Sequence, residues 1–287
     1  MRFFNSMKVS LLALCGLLPG ALAAQAQAPA APAAVAAAGP TFADLATLSD
    51  AAELVIRARI RSQTALGPDR APGLAAGFAR LYLEAQTTAL IAGRSTVGAT
   101  FAYLVDVPLD AKGQVPKLKG AEMLLFADPV PGRPNEVQLV APGAMLAYTP
   151  VLEARLRPIL TELYAADAPP RITGVSDALA VAGTLTGESE TQIFLATETR
   201  APVSLTVLRR PGQSPQWGVS WGEIIDSAAR PPAPESLRWY RLACALPAEL
   251  PPGANLARDP AERRLATGDY AFVISQLGPC TRAITKG

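Results

Sequence analysis

Apolar and polar residues alternate strictly through the first half of the folded chain. In ELVIRARIR, Leu54, Ile56, Ala58 and Ile60 fall on one face, and Glu53, Val55, Arg57, Arg59 and Arg61 on the other, as in a half-buried strand. A Gly- and Pro-rich loop from Gly67 to Gly77 follows. RLYLEAQT then sets Leu81, Leu83 and Ala85 against Arg80, Tyr82, Glu84 and Gln86. ATFAYLVDV, AEMLLFA and EVQLVA complete five strands with one apolar face each. Such strands must close on themselves or pack on a helix, which predicts a small barrel-like or curved antiparallel sheet over residues 41–145.

The period then changes. Thr149 suits a helix cap, Pro150 the first helical position, and Leu152, Leu156, Ile159, Leu160 and Leu163 recur at helical spacing. Pro158 inside this pattern predicts a kink or a division, because it lacks an N–H and crowds the preceding turn. From Ala178 to Ile225, the turn signals Gly187-Glu188-Ser189, Arg200-Ala201-Pro202 and Pro211-Gly212-Gln213-Ser214-Pro215 separate ALAVAGTL, ETQIFLATE, VSLTVLRR and WGVSWGEII. These read as an antiparallel meander. Its first strand puts Leu179, Val181 and Leu185 on one face and Ala178, Ala180 and Ala182 on the other, so a helix can approach the alanine side closely. Pro234 to Cys244 reads as a short helix, and Asp259-Pro260-Ala261-Glu262 starts another that Gly268 is expected to end. DYAFVISQ alternates like a strand in a helical setting. The fold class is α+β and β-rich: a barrel-like sheet, then an α+β domain over residues 146–287 whose meander packs with helices.

Composition narrows the setting. The 27 prolines and 22 glycines fit many short elements joined by turns and argue against an all-α fold. Arg2 and Lys8, the apolar run Val9 to Leu18 and the small residues around Ala23 or Ala26 read as a signal peptide over residues 1–26, cleaved near one of those alanines. Residues 27–40 form an Ala- and Pro-rich tether. A periplasmic or secreted location follows, with no transmembrane segment in the mature chain. Removing Arg2 and Lys8 leaves equal numbers of basic and acidic residues, which disfavours nucleic acid as a partner.

Chemistry is limited by an absence: the chain has no histidine. Ser-His and Cys-His activation and the commonest zinc and haem ligands are therefore excluded, and no metal or cofactor is called for. With Cys15 in the leader, Cys244 and Cys280 remain as an even pair for a disulfide. Gly187-Glu188-Ser189-Glu190-Thr191 has Gly-x-Ser without the second glycine of a nucleophile elbow and reads as a hairpin turn. A histidine-free hydrolase would have to use carboxylates, such as Asp106 with Asp110 or Glu188 with Glu190, or a Ser-Lys pair drawing on Lys112, Lys117 or Lys119.

Two surface features are candidate binding sites. Arg57, Arg59 and Arg61 form a basic stripe, and Lys112, Lys117 and Lys119 a basic loop; they suit an anionic ligand or lipid head group, unless Glu84 and Gln86 answer the arginines across the strands. Trp217 and Trp221 share a strand face, a stacking platform if exposed and core if buried.

The leader, the tether, LKGAEMLLFADPVPGRP and GESETQIFL together resemble uncharacterised exported proteins of Gram-negative, sphingomonad-type bacteria. That resemblance implies the periplasm or cell exterior and no activity. The five strands also resemble an OB-type barrel, although Pro108 to Gly120 is too rich in Pro, Gly and Lys for the helix usual between its third and fourth strands. The expectation is a non-enzymatic module that binds another envelope protein or an envelope component, with the hydrolase as the alternative.

Overall fold

The computed structural model describes residues 39–222 and 229–285. The expected leader, the tether up to residue 38 and the end of the last predicted strand, residues 223–225, lie outside the described residues. The fold opens with α1 (Phe42–Ala51), which strand-like alternation did not announce. Its start is nevertheless written in Thr41 and Asp44: the Thr41 hydroxyl accepts from the Asp44 N–H, and the Asp44 carboxylate accepts from the Thr41 N–H.

The five predicted strands are β1 (Leu54–Ala65), β2 (Phe78–Gly93), β3 (Thr100–Pro108), β4 (Glu122–Val130) and β5 (Arg133–Leu139). They close as β1-β2-β3-β5-β4-β1. Every neighbouring pair is antiparallel except β3 with β5, which meet in parallel only at Ala102 opposite Glu136. Ile56, Ile60, Leu83, Phe101, Leu125 and their neighbours fill the interior. The continuous apolar run of β4 has a separate cause: Leu124 and Phe126 point out of the barrel and are buried under α1 and α2 (Pro150–Leu163). A short β6 (Met145–Ala147) extends the sheet from β4.

Helix α2 runs unbroken through Pro158, correcting the expected division. Pro158 and Ala154, whose carbonyl loses its usual donor, both lie on the exposed face, while Leu152, Leu156, Ile159 and Leu160 hold the other face in place. Together α1, α2 and α3 (Leu237–Ala243) form an apolar seam beside the barrel.

The meander consists of β7 (Ile172–Ala182), β8 (Ser189–Thr197), β9 (Val203–Arg209) and β10 (Gln216–Ser220), hydrogen-bonded in sequence order. Ala178 and Ala180 are fully buried against α4 (Pro260–Leu277), whereas Leu179, Val181 and Leu185 are exposed. The alanine face is thus the packed one. Helix α4 continues past Gly268 because Ala266, Asp269, Tyr270, Val273 and Leu277 carry one buried stripe across it; Gly278, at φ 70°, ends it instead. DYAFVISQ is therefore helical. At the centre of this packing the buried Asp269 carboxylate accepts from the Thr191 hydroxyl and from Arg209 Nε, the latter at 2.6 Å.

Three devices tie the C-terminal region down. Cys244 and Cys280 form the expected disulfide, with Cα atoms 5.1 Å apart. Arg241 donates to both oxygens of Asp50 at the end of α1, at 2.6 and 2.8 Å. Asp44, fully buried, accepts from the N–H groups of Ala283, Ile284 and Thr285 and from the Thr285 hydroxyl. Burial alone would raise the Asp44 pKa, but these hydrogen bonds outweigh it and hold the carboxyl far below the ordinary range.

Candidate functional site

A broad hollow lies where the barrel ring parts. Beyond Ala102 and Glu136, β3 and β5 have no further pairing, and a groove of about 1280 Å³ opens between them. The connection from Leu66 to Gly77 borders it; Gly73 and Gly77 take φ values of 71° and 80° there, as a sharply turning loop requires. Buried Ala71, an Arg80 bond to the Pro72 carbonyl and a Leu109 N–H bond to the Gly77 carbonyl hold that loop against the strands. The connection from Val140 to Gly143 forms part of the opposite wall.

The lining combines apolar and charged side chains. Phe78, Tyr82 and Leu104 are 42%, 36% and 51% exposed, an unusual concentration for neighbouring strands. Between them Arg80 grips Asp106 through two bonds of 2.6 and 2.8 Å. The hydrogen bond from Arg80 holds the Asp106 carboxyl below the ordinary range. Arg133 bonds Glu136 at 3.0 Å on the other wall. Arg70 is exposed and its guanidinium makes no ion pair among the described residues. The Tyr103 hydroxyl, near Met145 Sδ at 3.3 Å, is pushed well above the ordinary phenol pKa by burial, so it stays neutral.

The candidate residues are dispersed. Arg57 and Arg59 both donate to Glu122 on β4, not to Glu84 or Gln86, and Arg57 also lies over the Tyr148 ring at 3.8 Å. Arg61 reaches Gln86 at 3.4 Å, and Glu84 accepts from Ser62. The Lys112–Lys119 loop is exposed and pinned to β1 by Gln63, whose side-chain oxygen accepts from the Leu118 and Lys119 N–H groups. Lys119 therefore adjoins the arginine strand, while Lys112 sits at the far side of an Asp110-capped turn. Trp217 is only 7% exposed and belongs to the meander core, and Trp221 packs against the same cluster. They present no stacking platform.

The acid-base candidates are also committed elsewhere. Asp106 is held by Arg80, and Asp110 accepts from the Lys112 and Gln114 N–H groups of its own turn. Glu188 braces the turn to β8 through the Leu185 N–H, and Glu190 accepts from Gln192. Ser189 is buried without a hydrogen-bond partner for its hydroxyl and opposite Arg209, not a lysine. Among the described residues, no group of three or more Cys, Asp or Glu side chains is placed to hold a metal ion, and no helix is long and apolar enough to cross a membrane.

Alternation on β2 marked Tyr82 as outward-facing, but the parting of β3 from β5 left no local mark in the sequence. No protein-family model matches the chain, and no curated protein matches it.

Proposed function

We propose that this chain is an exported, non-enzymatic binding module that takes another envelope protein or an envelope component into the groove between β3 and β5. The observation that carries the reading is the groove itself: exposed Phe78, Tyr82 and Leu104 beside carboxylates that already have cationic partners. Such a surface has apolar area to lose on binding and polar groups to orient a partner, without an activated nucleophile. The disulfide and the leader-like N-terminus support an oxidising compartment.

Immobilised mature protein should retain a defined partner from envelope extract, and Leu104→Arg should lose it while Arg61→Glu, outside the groove, keeps it. Capture of nothing, or equal capture by both variants, overturns the groove as the site. The export reading is tested separately. Mass spectrometry of the protein from the periplasm or medium should give a start just after Ala23 or Ala26, and an intact Met1 overturns it.

A further inference from the structure

Sheet edges in this molecule are treated unequally. The β7 edge is met by the Leu256 N–H, which donates to the Ala178 carbonyl, and the β10 edge by the Arg230 carbonyl, which accepts from the Val219 N–H. The β3 edge facing the groove has one contact, Ala102 with Glu136. Its remaining backbone groups can be assigned from the ladder with β2. Leu109 N–H donates to Gly77 C=O, and Thr87 N–H donates to Ala99 C=O, so the odd-numbered residues of β3 form the bonded pairs with β2. The even-numbered ones turn their N–H and C=O the other way. Leu104 and Asp106 thus aim donors and acceptors into the groove, two residues and about 7 Å apart, with no strand among the described residues to receive them. Neither a lysine nor, before Pro108, a proline blunts this edge, the usual protections of an unpaired strand.

We propose that the groove takes an extended segment of a partner polypeptide, added as a strand along the free edge of β3, with an acidic residue near Arg70. The proposal rests on the binding reading above and names the partner's chemistry. An extended backbone repeats its N–H and C=O groups at the spacing that Leu104 and Asp106 present. Its alternate side chains would meet Phe78, Tyr82 and Leu104 on the outer face. Running antiparallel to β3, it would bring its N-terminal end to Pro108, the end at which the loop carrying Arg70 meets β2. Charge sets the rest: Asp106 and Glu136 are answered by Arg80 and Arg133, which leaves the Arg70 cation for the partner. Among the described residues lining the groove, Arg70 alone is a cation without an ion pair, which fits a peptide better than nucleic acid, where several phosphates must be neutralised.

The test pans a phage-displayed library of random dodecapeptides on the mature protein and follows a synthetic copy of the leading sequence by fluorescence anisotropy. Enriched peptides should alternate in polarity and carry an acid near the N-terminal end. N-methylation of the edge-facing peptide amides should weaken binding about tenfold or more, the loss of two backbone hydrogen bonds. Leu104→Pro, which removes a donor that the β2 ladder does not use, should do the same. Arg70→Glu should weaken binding about three- to fivefold, and a peptide with lysine in place of its acid should recover it. Equal binding of the N-methylated peptide overturns strand addition. So does a protein dimer abolished by Leu104→Pro, because the occupant would then be a second copy. If no peptide is enriched but Leu104→Arg still abolishes capture from envelope extract, strand addition falls and the groove reading stands; if Leu104→Arg leaves that capture unchanged, both fall.

Discussion

The barrel and the meander solve the same problem differently. Each has a sheet with one apolar face to hide, but the barrel curls that face onto itself, and Leu83, Phe101 and Leu125 meet across its interior. The meander stays open and borrows its second layer from α4, which arrives after the connection through α3. A closed sheet carries its own cover, whereas an open one depends on segments distant in sequence. The dependence is visible in what each region adds to apolar packing. Among the described residues, Tyr103 brings the one hydroxyl into the barrel's apolar cluster, but the meander holds its helix with the buried Asp269, Thr191 and Arg209, and the Cys244–Cys280 disulfide ties the segment just past that helix to the end of α3.

Removing that covalent tie tests the contrast hardest. Cys244→Ala with Cys280→Ala should lower unfolding stability by about 3–4 kcal/mol in denaturant titration, the chain-entropy value for a loop of this length. Amide exchange should rise most in α3 and α4 and least in β1 and β2; uniform acceleration would show that the two regions open as one. Next comes Asp269→Ala, which strands the Thr191 hydroxyl and leaves Arg209 without its anion. Because Arg209 is one-third exposed, the cost should be about 2–3 kcal/mol, below that of breaking a wholly buried pair.

Acid should act on the tail. The folded pKa of Asp44 lies below its unfolded value, so its contribution is fully present above about pH 4 and is lost as the pH falls from there toward the depressed native value. Protection factors at Ala283 and Thr285 should therefore fall below about pH 4 before those of β1 do. The smallest effect is expected at Arg61→Ala, whose 3.4 Å contact with Gln86 is exposed: the melting temperature should stay within experimental scatter.

The strands of both sheets, apart from the short β6 and the first half of β7, were legible because alternation is a local property, and the buried face of β7 followed from alanines that let a helix approach. Other features depended on distant residues. Glu122 answers Arg57 and Arg59 only because ring closure sets β4 beside β1, and no spacing along the chain carries that pairing. Gly268 looked like a helix end because its lack of a side chain is a local penalty, while the stripe from Ala266 to Leu277 overrides it through tertiary contact. The groove was hidden for the same reason, since a failure of two strands to pair has no composition. Helix α1 is the exception, as Thr41 and Asp44 stated its start in plain capping chemistry.

The clamp around Asp44 has a mechanical meaning. Tension on the chain entering at Thr41 reaches the Thr281 carbonyl through the Thr41 hydroxyl, and the Ala283–Thr285 backbone through Asp44. From that tail it passes through the Cys280–Cys244 bridge into α3. This load path reaches α3 without crossing a β-ladder, alongside the covalent path from α1 into β1.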